Sequence, residues 1–188
     1  GSGKSQTAFS VLGLLPRGGR VSGGSIRFDG IELTDPRGAG YEGVRGKRIG
    51  YIPQEPMSNL DPSFTVGRQL VAPMRRHLGL SRKAARNEAL DLLARVGIVN
   101  PGRVFDSYPF QISGGMAQRV LIAGAVSTSP DLVIADEPTT ALDVTVQAEV
   151  LDLRRDLQRE RRMAMLLVTH NFGVVADLCD RVTVMQNG

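Results

Sequence analysis

Gly1-Ser2-Gly3-Lys4-Ser5 opens the chain, and Leu132-Val133-Ile134-Ala135-Asp136-Glu137 answers it far downstream. The first stretch matches the end of the phosphate-loop pattern G-x-x-x-x-G-K-[ST], whose opening glycine would lie before residue 1. Small residues let the backbone curl so that successive N–H groups point inward around a phosphate chain. Lys4 would reach the β- and γ-phosphates, and the Ser5 hydroxyl would sit on Mg²⁺. Ala8, Phe9, Leu12 and Leu15 then recur as on a helix whose N-terminus faces those phosphates, where the helix dipole favours negative charge. Taken alone, such a string is also what a flexible loop looks like. In the downstream stretch, four apolar residues run into two carboxylates, as in a buried parallel strand that ends at a site. Asp136 can hold a magnesium shell and Glu137 can act on a water; the plain alternative is a solvated acidic turn. Paired with a phosphate loop upstream, the two carboxylates point to nucleotide hydrolysis.

The 188 residues are enough for one domain with a sizeable core. A hydrophobic content of 41% and a charged content of 22% are ordinary for a globular protein, and a net charge of +4 fits a mildly basic surface. Aromatics make up only 5% and Trp is absent, which argues against stacking platforms for single strands, so no nucleic acid partner is expected. The single cysteine, Cys179, rules out an internal disulfide framework and suits a reducing cytoplasm. It falls in an apolar-periodic run with Val174, Val175 and Leu178, so buried packing is expected of it. No apolar run approaches the roughly 18 residues of a membrane span, and no signal peptide is visible.

A loop of this kind normally follows a central strand, which is not found before Gly1. The chain is therefore expected to be a piece of a longer polypeptide, cut at both ends. Pro16 and Gly18-Gly19 are expected to stop the first helix. Residues 23–33 alternate apolar and polar with Asp29-Gly30 as a turn, which predicts an antiparallel hairpin beside the core. Arg48 to Ile52 reads as a strand ending at Pro53-Gln54. Ala85, Ala89, Leu92, Leu93 and Val96 recur with helical spacing, Gly97 caps them, and Ser113-Gly114-Gly115 opens a further helix carrying Val120, Leu121 and Ala125. A helical subdomain spanning about 56–128 is thus expected to interrupt the core. Beyond it come a strand at 131–136, a helix at 144–162, a strand at 165–169 ending at His170, a helix at 172–179 and a last strand at 182–185. Strand–helix alternation implies a mainly parallel sheet with right-handed crossovers.

Five signals now stand in one order: Gly1 to Ser5, Gln54, Ser113-Gly114-Gly115, Asp136-Glu137 and His170. Together they resemble the nucleotide-binding domain of ABC ATPases, over essentially the whole chain 1–188. The Ser-Gly-Gly signature carries the resemblance, since other phosphate-loop enzymes share only the first and fourth signals. The fold implied is α/β: a P-loop NTPase core with a mainly parallel sheet, an antiparallel hairpin subdomain and the inserted helical subdomain. Pro53 to Pro62, Tyr108 to Val120 and Thr169 to Ala176 look more narrowly like oligopeptide/dipeptide importer ATPases, a likeness shared with nickel and glutathione importers. Phe110-Gln111-Ile112 stands where that subfamily usually carries His-Glu-Leu.

The resemblance implies ATP and Mg²⁺ as cofactors. ATP would be held by Gly1, Ser2, Gly3, Lys4, Ser5 and Gln6, and the metal by Ser5, Gln54 and Asp136. Glu137 would be the general base, Gln54 would sense the γ-phosphate beside the attacking water, and His170 would be the switch histidine. Ser113, Gly114 and Gly115 would close on ATP held by an opposing domain, and Asp143 would be the D-loop residue touching that domain. The adenine-stacking aromatic would lie before residue 1. The implied partners are transmembrane permease subunits, a second nucleotide-binding domain and, indirectly, an extracytoplasmic solute-binding protein. The implied place is the cytoplasmic face of the membrane, as a peripheral subunit that powers peptide import. The rival readings are a soluble ABC ATPase of DNA repair or translation and a non-enzymatic regulatory module.

Overall fold

A computed structural model describes residues 2–35, 39–138 and 163–186. The expected helix at 144–162, Asp143 and Gly1 lie outside these described residues. Three strands, β3 (Ile49–Ile52), β4 (Leu132–Asp136) and β5 (Ala164–Val168), form a parallel sheet in the order β3-β4-β5. The register sets Ile52 beside Ala135 and Asp136 beside Val168, so all three strands end on one edge. In open α/β sheets that carboxyl edge is where ligands bind.

β4 is the central strand, with Val133, Ile134 and Ala135 at most 1% exposed. Successive side chains on a strand point to opposite faces, and here they feed two separate cores. Val133 and Ala135 join Ile52 and Leu167 under the long helices, whereas Ile134 joins Ile49 and Val168 under α1 (Lys4–Leu12). The near-continuous apolar run of β4 is therefore the mark of a strand covered on both faces.

The helices start where short polar side chains can cap them. Thr65 caps α2 (Val66–Leu78), Ser81 caps α3 (Arg82–Arg95), Asn100 caps α4 (Pro101–Asp106) and Ser113 caps α5 (Gly114–Val126), each accepting a bond from a first-turn N–H. Ala85, Ala89, Leu92 and Leu93 of α3 are buried as their spacing predicts, and Gly97 follows α3 with φ 78°. α5 lies so close to β3 that a Cβ on Gly50 would stand only 2.2 Å from the Ala125 carbonyl oxygen.

Asp29 (φ 50°) and Gly30 (φ 78°) form a two-residue turn between β1 (Arg27–Phe28) and β2 (Ile31–Glu32). Two positive φ angles are what the favoured hairpin turn requires. Arg48 fastens this hairpin to the sheet: it pairs with Asp29 at 2.7 Å and Asp131 at 2.6 Å, and its guanidinium lies over the Phe28 ring.

Three expectations are corrected. The first helix stops at Gly13, which takes the left-handed conformation (φ 63°) and donates back to Phe9 and Ser10, so Leu15 falls beyond the helix. Residues 182–185 form no strand: a cavity of about 620 Å³, lined by Lys4, Ala8, Met165 to Thr169 and Val182, lies between them and β5, and Val182 and Val184 are largely exposed. Cys179 is not packed away inside a helix; it sits one residue past α6 (Phe172–Leu178), half-buried beside that cavity.

The contact at Gly50 yields a stability prediction. Gly50→Ala drives a methyl group into backbone that has no rotamer to yield, and overpacking of this kind costs about 1–3 kcal/mol. The denaturant midpoint is expected to fall accordingly; an unchanged midpoint would show that α5 is free to back away from β3.

Candidate nucleotide site

Gly3 sits at the N-cap of α1 with φ 85°, a conformation open to glycine, and no side chain caps the helix. The first turn of α1 also lacks an acidic residue, so its free N–H groups and dipole remain available to an anion. Lys4 opens that turn and donates from Nζ to the Ser2 hydroxyl at 3.0 Å. Gln6 is exposed on the same turn.

One residue on, Ser5 donates from Oγ to Oδ1 of Asp136 at 3.1 Å. This bond spans the gap between α1 and the end of β4, joining the two stretches that the sequence reading paired. Asp136 is only 2% exposed. A buried carboxylate needs partners, and a hydroxyl beside it forms the start of a hard, oxygen-donor shell. Among the described residues no cluster of three or more His, Cys, Asp or Glu could hold a metal by itself. One carboxylate and one hydroxyl is nevertheless the donor set that suits Mg²⁺, which takes its remaining ligands from water and phosphate oxygens.

Glu137 follows the strand with φ 44°, a left-handed conformation rare for a residue of its size. Its N–H still bonds to the Val168 carbonyl at 2.8 Å, which holds the backbone in place. The carboxylate is gripped from two sides. Gln54, two residues past β3, donates from Nε2 to Oε2 at 3.1 Å, and His170, two residues past β5, brings Nδ1 within 3.2 Å of Oε1. Strained backbone at a non-glycine residue clusters at functional sites, and here three strand ends converge on it.

The described residues thus bring Ser2, Gly3, Lys4, Ser5, Asp136, Glu137, Gln54 and His170 to one edge of the sheet. Ser113, Gly114 and Gly115 do not join them: Ser113 lines a separate cavity with Asn100, Arg103 and Met116, and a Cβ on either glycine would meet open space. Gly1 and Asp143 lie outside the described residues. Two contributors went unremarked in the sequence. Asn171 caps α6 by accepting from Gly173 and Val174, which orients the Thr169-His170 turn. An Asn just before an apolar-periodic run was its signal. Tyr51, packed edge-on against Phe9, lies near enough to Asp136 to feel its charge, and no pattern in the sequence announces this.

The profile of the family described as "ABC transporter" matches residues 1–140, from the loop at Lys4 through β4. This chain belongs to the ABC transporter family. Among its relatives, the dipeptide transport ATP-binding protein DppD of Bacillus subtilis is 48% identical over the whole chain, and the oligopeptide transport ATP-binding protein AppD of the same organism is 45% identical. The chain spans only 56% and 58% of the lengths of those relatives. The ATP-binding cassette MJ0796, solved as a dimer in a post-hydrolysis state bound to ADP and Pi, superposes with a TM-score of 0.81 at 28% identity, covering 92% of this chain and 72% of that one. An α/β cassette with a parallel sheet and an antiparallel hairpin is thus the shared architecture.

The Tyr51 environment predicts a pH effect. Burial, and then the neighbouring Asp136 charge, pushes the phenol up to about 12. An unfolded tyrosine ionises near 10, so between about pH 10 and 12 the unfolded chain releases a proton that the fold retains. The stability linked to Tyr51 is full below pH 10 and is lost as pH rises through 12. Denaturant midpoints measured across that range are expected to fall less steeply in Tyr51→Phe than in the parent. Tyr41, also raised by burial, adds its own alkaline slope in both proteins; identical slopes in the two proteins would contradict the assignment.

Proposed function

We propose that the chain binds ATP and hydrolyses it, and that the protein to which it belongs powers import of peptides or a related solute through separate transmembrane subunits. The observation that carries the chemistry is the convergence of three strand ends on Glu137, beside a loop built for phosphates. Support for the transport role comes from the relatives, whose names specify dipeptide and oligopeptide transport.

In this reading the N–H groups at the head of α1 and the Lys4 ammonium hold the β- and γ-phosphates. Lys4 is pre-set for this by its bond to Ser2, which phosphate oxygens would replace. Ser5 and Asp136 would hold Mg²⁺. When bound, the ion neutralises charge on the phosphate oxygens. Glu137 accepts a proton from the attacking water; general-base catalysis contributes roughly 10²–10⁴ in rate. Gln54 and His170 each reach one of its carboxylate oxygens, and in this reading both turn toward water or γ-phosphate when ATP binds.

Ser113, at the exposed tip of α5, is assigned to the nucleotide of a facing domain, and Asp143 to the contact between the two. No helix among the described residues is long and apolar enough to cross a membrane, so the spans in this reading come from permease subunits. The cassette would then work peripherally on their cytoplasmic side, with a solute-binding protein acting across the membrane. The helical block at 56–128 is assigned the role of an inserted subdomain that passes closure on to the permease.

Two variants test the halves of this reading. Glu137→Gln is expected to retain ATP binding in a fluorescent-nucleotide titration while steady turnover drops by roughly 10²–10⁴; turnover at the parental rate would remove Glu137 from the role of base. Ser113→Arg is expected to leave monomer nucleotide binding intact while abolishing ATP-induced dimerisation in light scattering. Persistence of the dimer would show that Ser113 does not reach across.

A further inference from the structure

The tail of α1, the end away from the phosphate loop, is held by two side chains from the segment that follows the hairpin. The left-handed turn at Gly13 answers the Phe9 and Ser10 carbonyls from its own N–H, but carbonyls further along still need partners. Arg45 supplies them from far along the chain. It donates from Nε to the Leu12 carbonyl at 2.9 Å and from Nη2 to the Gly13 carbonyl at 3.3 Å. The Tyr41 hydroxyl lies 3.2 Å from the Ser10 carbonyl and 3.1 Å from that of Val11. It is also 2.7 Å from the Leu33 carbonyl, just past β2, so one phenolic proton ties the helix tail to the hairpin. The Arg45 guanidinium in turn lies over the Tyr41 ring, 4.5 Å from its centroid.

Arg45 is exposed and could leave its charge in water, yet it is turned back onto the helix end, where a cation complements the dipole. Gly13 is shaped to both partners: a Cβ there would stand 2.6 Å from the Arg45 guanidinium and 2.7 Å from the Tyr41 ring. This grip matters because α1 buries little of itself. Ala8 and Leu12 are the buried residues among its nine. At its head, Ser5 is bonded to Asp136. In the nucleotide reading those two groups turn toward the metal, which leaves the tail as the end of α1 gripped by groups that take no part in binding.

We infer, on the reading that phosphates meet the head of α1, that Arg45 and Tyr41 are positioning residues for the nucleotide. By fixing the tail of α1 they set where its first-turn N–H groups and Lys4 stand, and so the affinity for phosphate, without touching the ligand. The nine residues span about 13 Å, and their intrahelical bonds make the helix stiff, so a slide or tilt at the tail is delivered at the head. Hydrogen bonds to an anion weaken steeply with distance and angle, which makes a small displacement there costly. Glu137, Gln54 and His170 are instead carried by the ends of the sheet strands. The grip on α1 therefore controls affinity rather than the rate at saturation.

The test uses the intact protein and measures fluorescent-nucleotide affinity, KM and kcat for ATP, and the denaturant midpoint side by side. Arg45→Met keeps the reach of the side chain and removes its donors. It is expected to weaken nucleotide binding and raise KM together, by roughly fivefold or more, while kcat at saturating ATP stays at the parental level. Arg45→Lys, which keeps a cation and one donor group, is expected to recover part of the lost affinity. Should Arg45→Met fail to fold, Tyr41→Phe, which removes the hydroxyl alone, is measured in its place with the same expectation for affinity and kcat. A lower denaturant midpoint with parental affinity would leave the pair a structural role only and overturn the inference. So would a fall in kcat at unchanged KM, or an Arg45→Lys variant that binds no better than Arg45→Met. Lys4→Ala tells the two levels apart, since it is expected to lose nucleotide binding. Binding retained in Lys4→Ala would remove the phosphate reading and the inference with it; binding lost there but parental in Arg45→Met would remove the inference alone.

Discussion

A carboxylate with almost no access to water, Asp136, is held against the hydroxyl of Ser5, and the rest of the site depends on that contact. Burying such a group is unfavourable unless something bonds to it. The bond therefore sets where the head of α1 lies relative to the end of β4. Once those two are fixed, Lys4 and the free N–H groups of the first turn stand on one side of the edge, and Glu137 stands on the other. The loop that would bind phosphate and the acid that would act on water thus share one anchor.

The sheet makes that anchor possible by being covered twice. Because β4 sends Ile134 one way and Val133 and Ala135 the other, α1 and the hairpin are built on one face and the long helices on the other. Among the described residues the strands carry members of both hydrophobic clusters. Parallel pairing then does the aligning: in register, three strands deliver Gln54, Asp136-Glu137 and His170 to the same edge. No long loop has to find its way there.

Much of this was legible in the residues. The apolar run ending in Asp136-Glu137, the caps at Ser113 and Gly97, the Asp29-Gly30 turn and the helical spacing of α3 all carry strong local signals, and the structure follows them. The misreadings have physical causes. Gly13 ended the first helix early because a left-handed glycine satisfies the last carbonyls better than another turn leading into Pro16 would. Residues 182–185 have strand composition, but a ladder needs a neighbour, and alternation cannot report whether one is within reach. The strain at Glu137 and the proximity of Tyr51 to Asp136 were illegible because both arise from contacts between segments distant in sequence. Arg68, Arg75, Arg76, Arg82 and Arg86 are spread over two helices, α2 and α3, and in the sequence they read only as charge.

The left-handed backbone at Glu137 carries a cost that a smaller residue would not bear. For a side chain of this size the conformation is unfavourable by roughly 1–3 kcal/mol, whereas glycine adopts it freely and asparagine or aspartate with little resistance. Drift away from glutamate at this position would therefore tend to relax the chain while removing its chemistry. A silent cassette could be a sturdier protein than a working one, and only selection for turnover would keep the tense version in place.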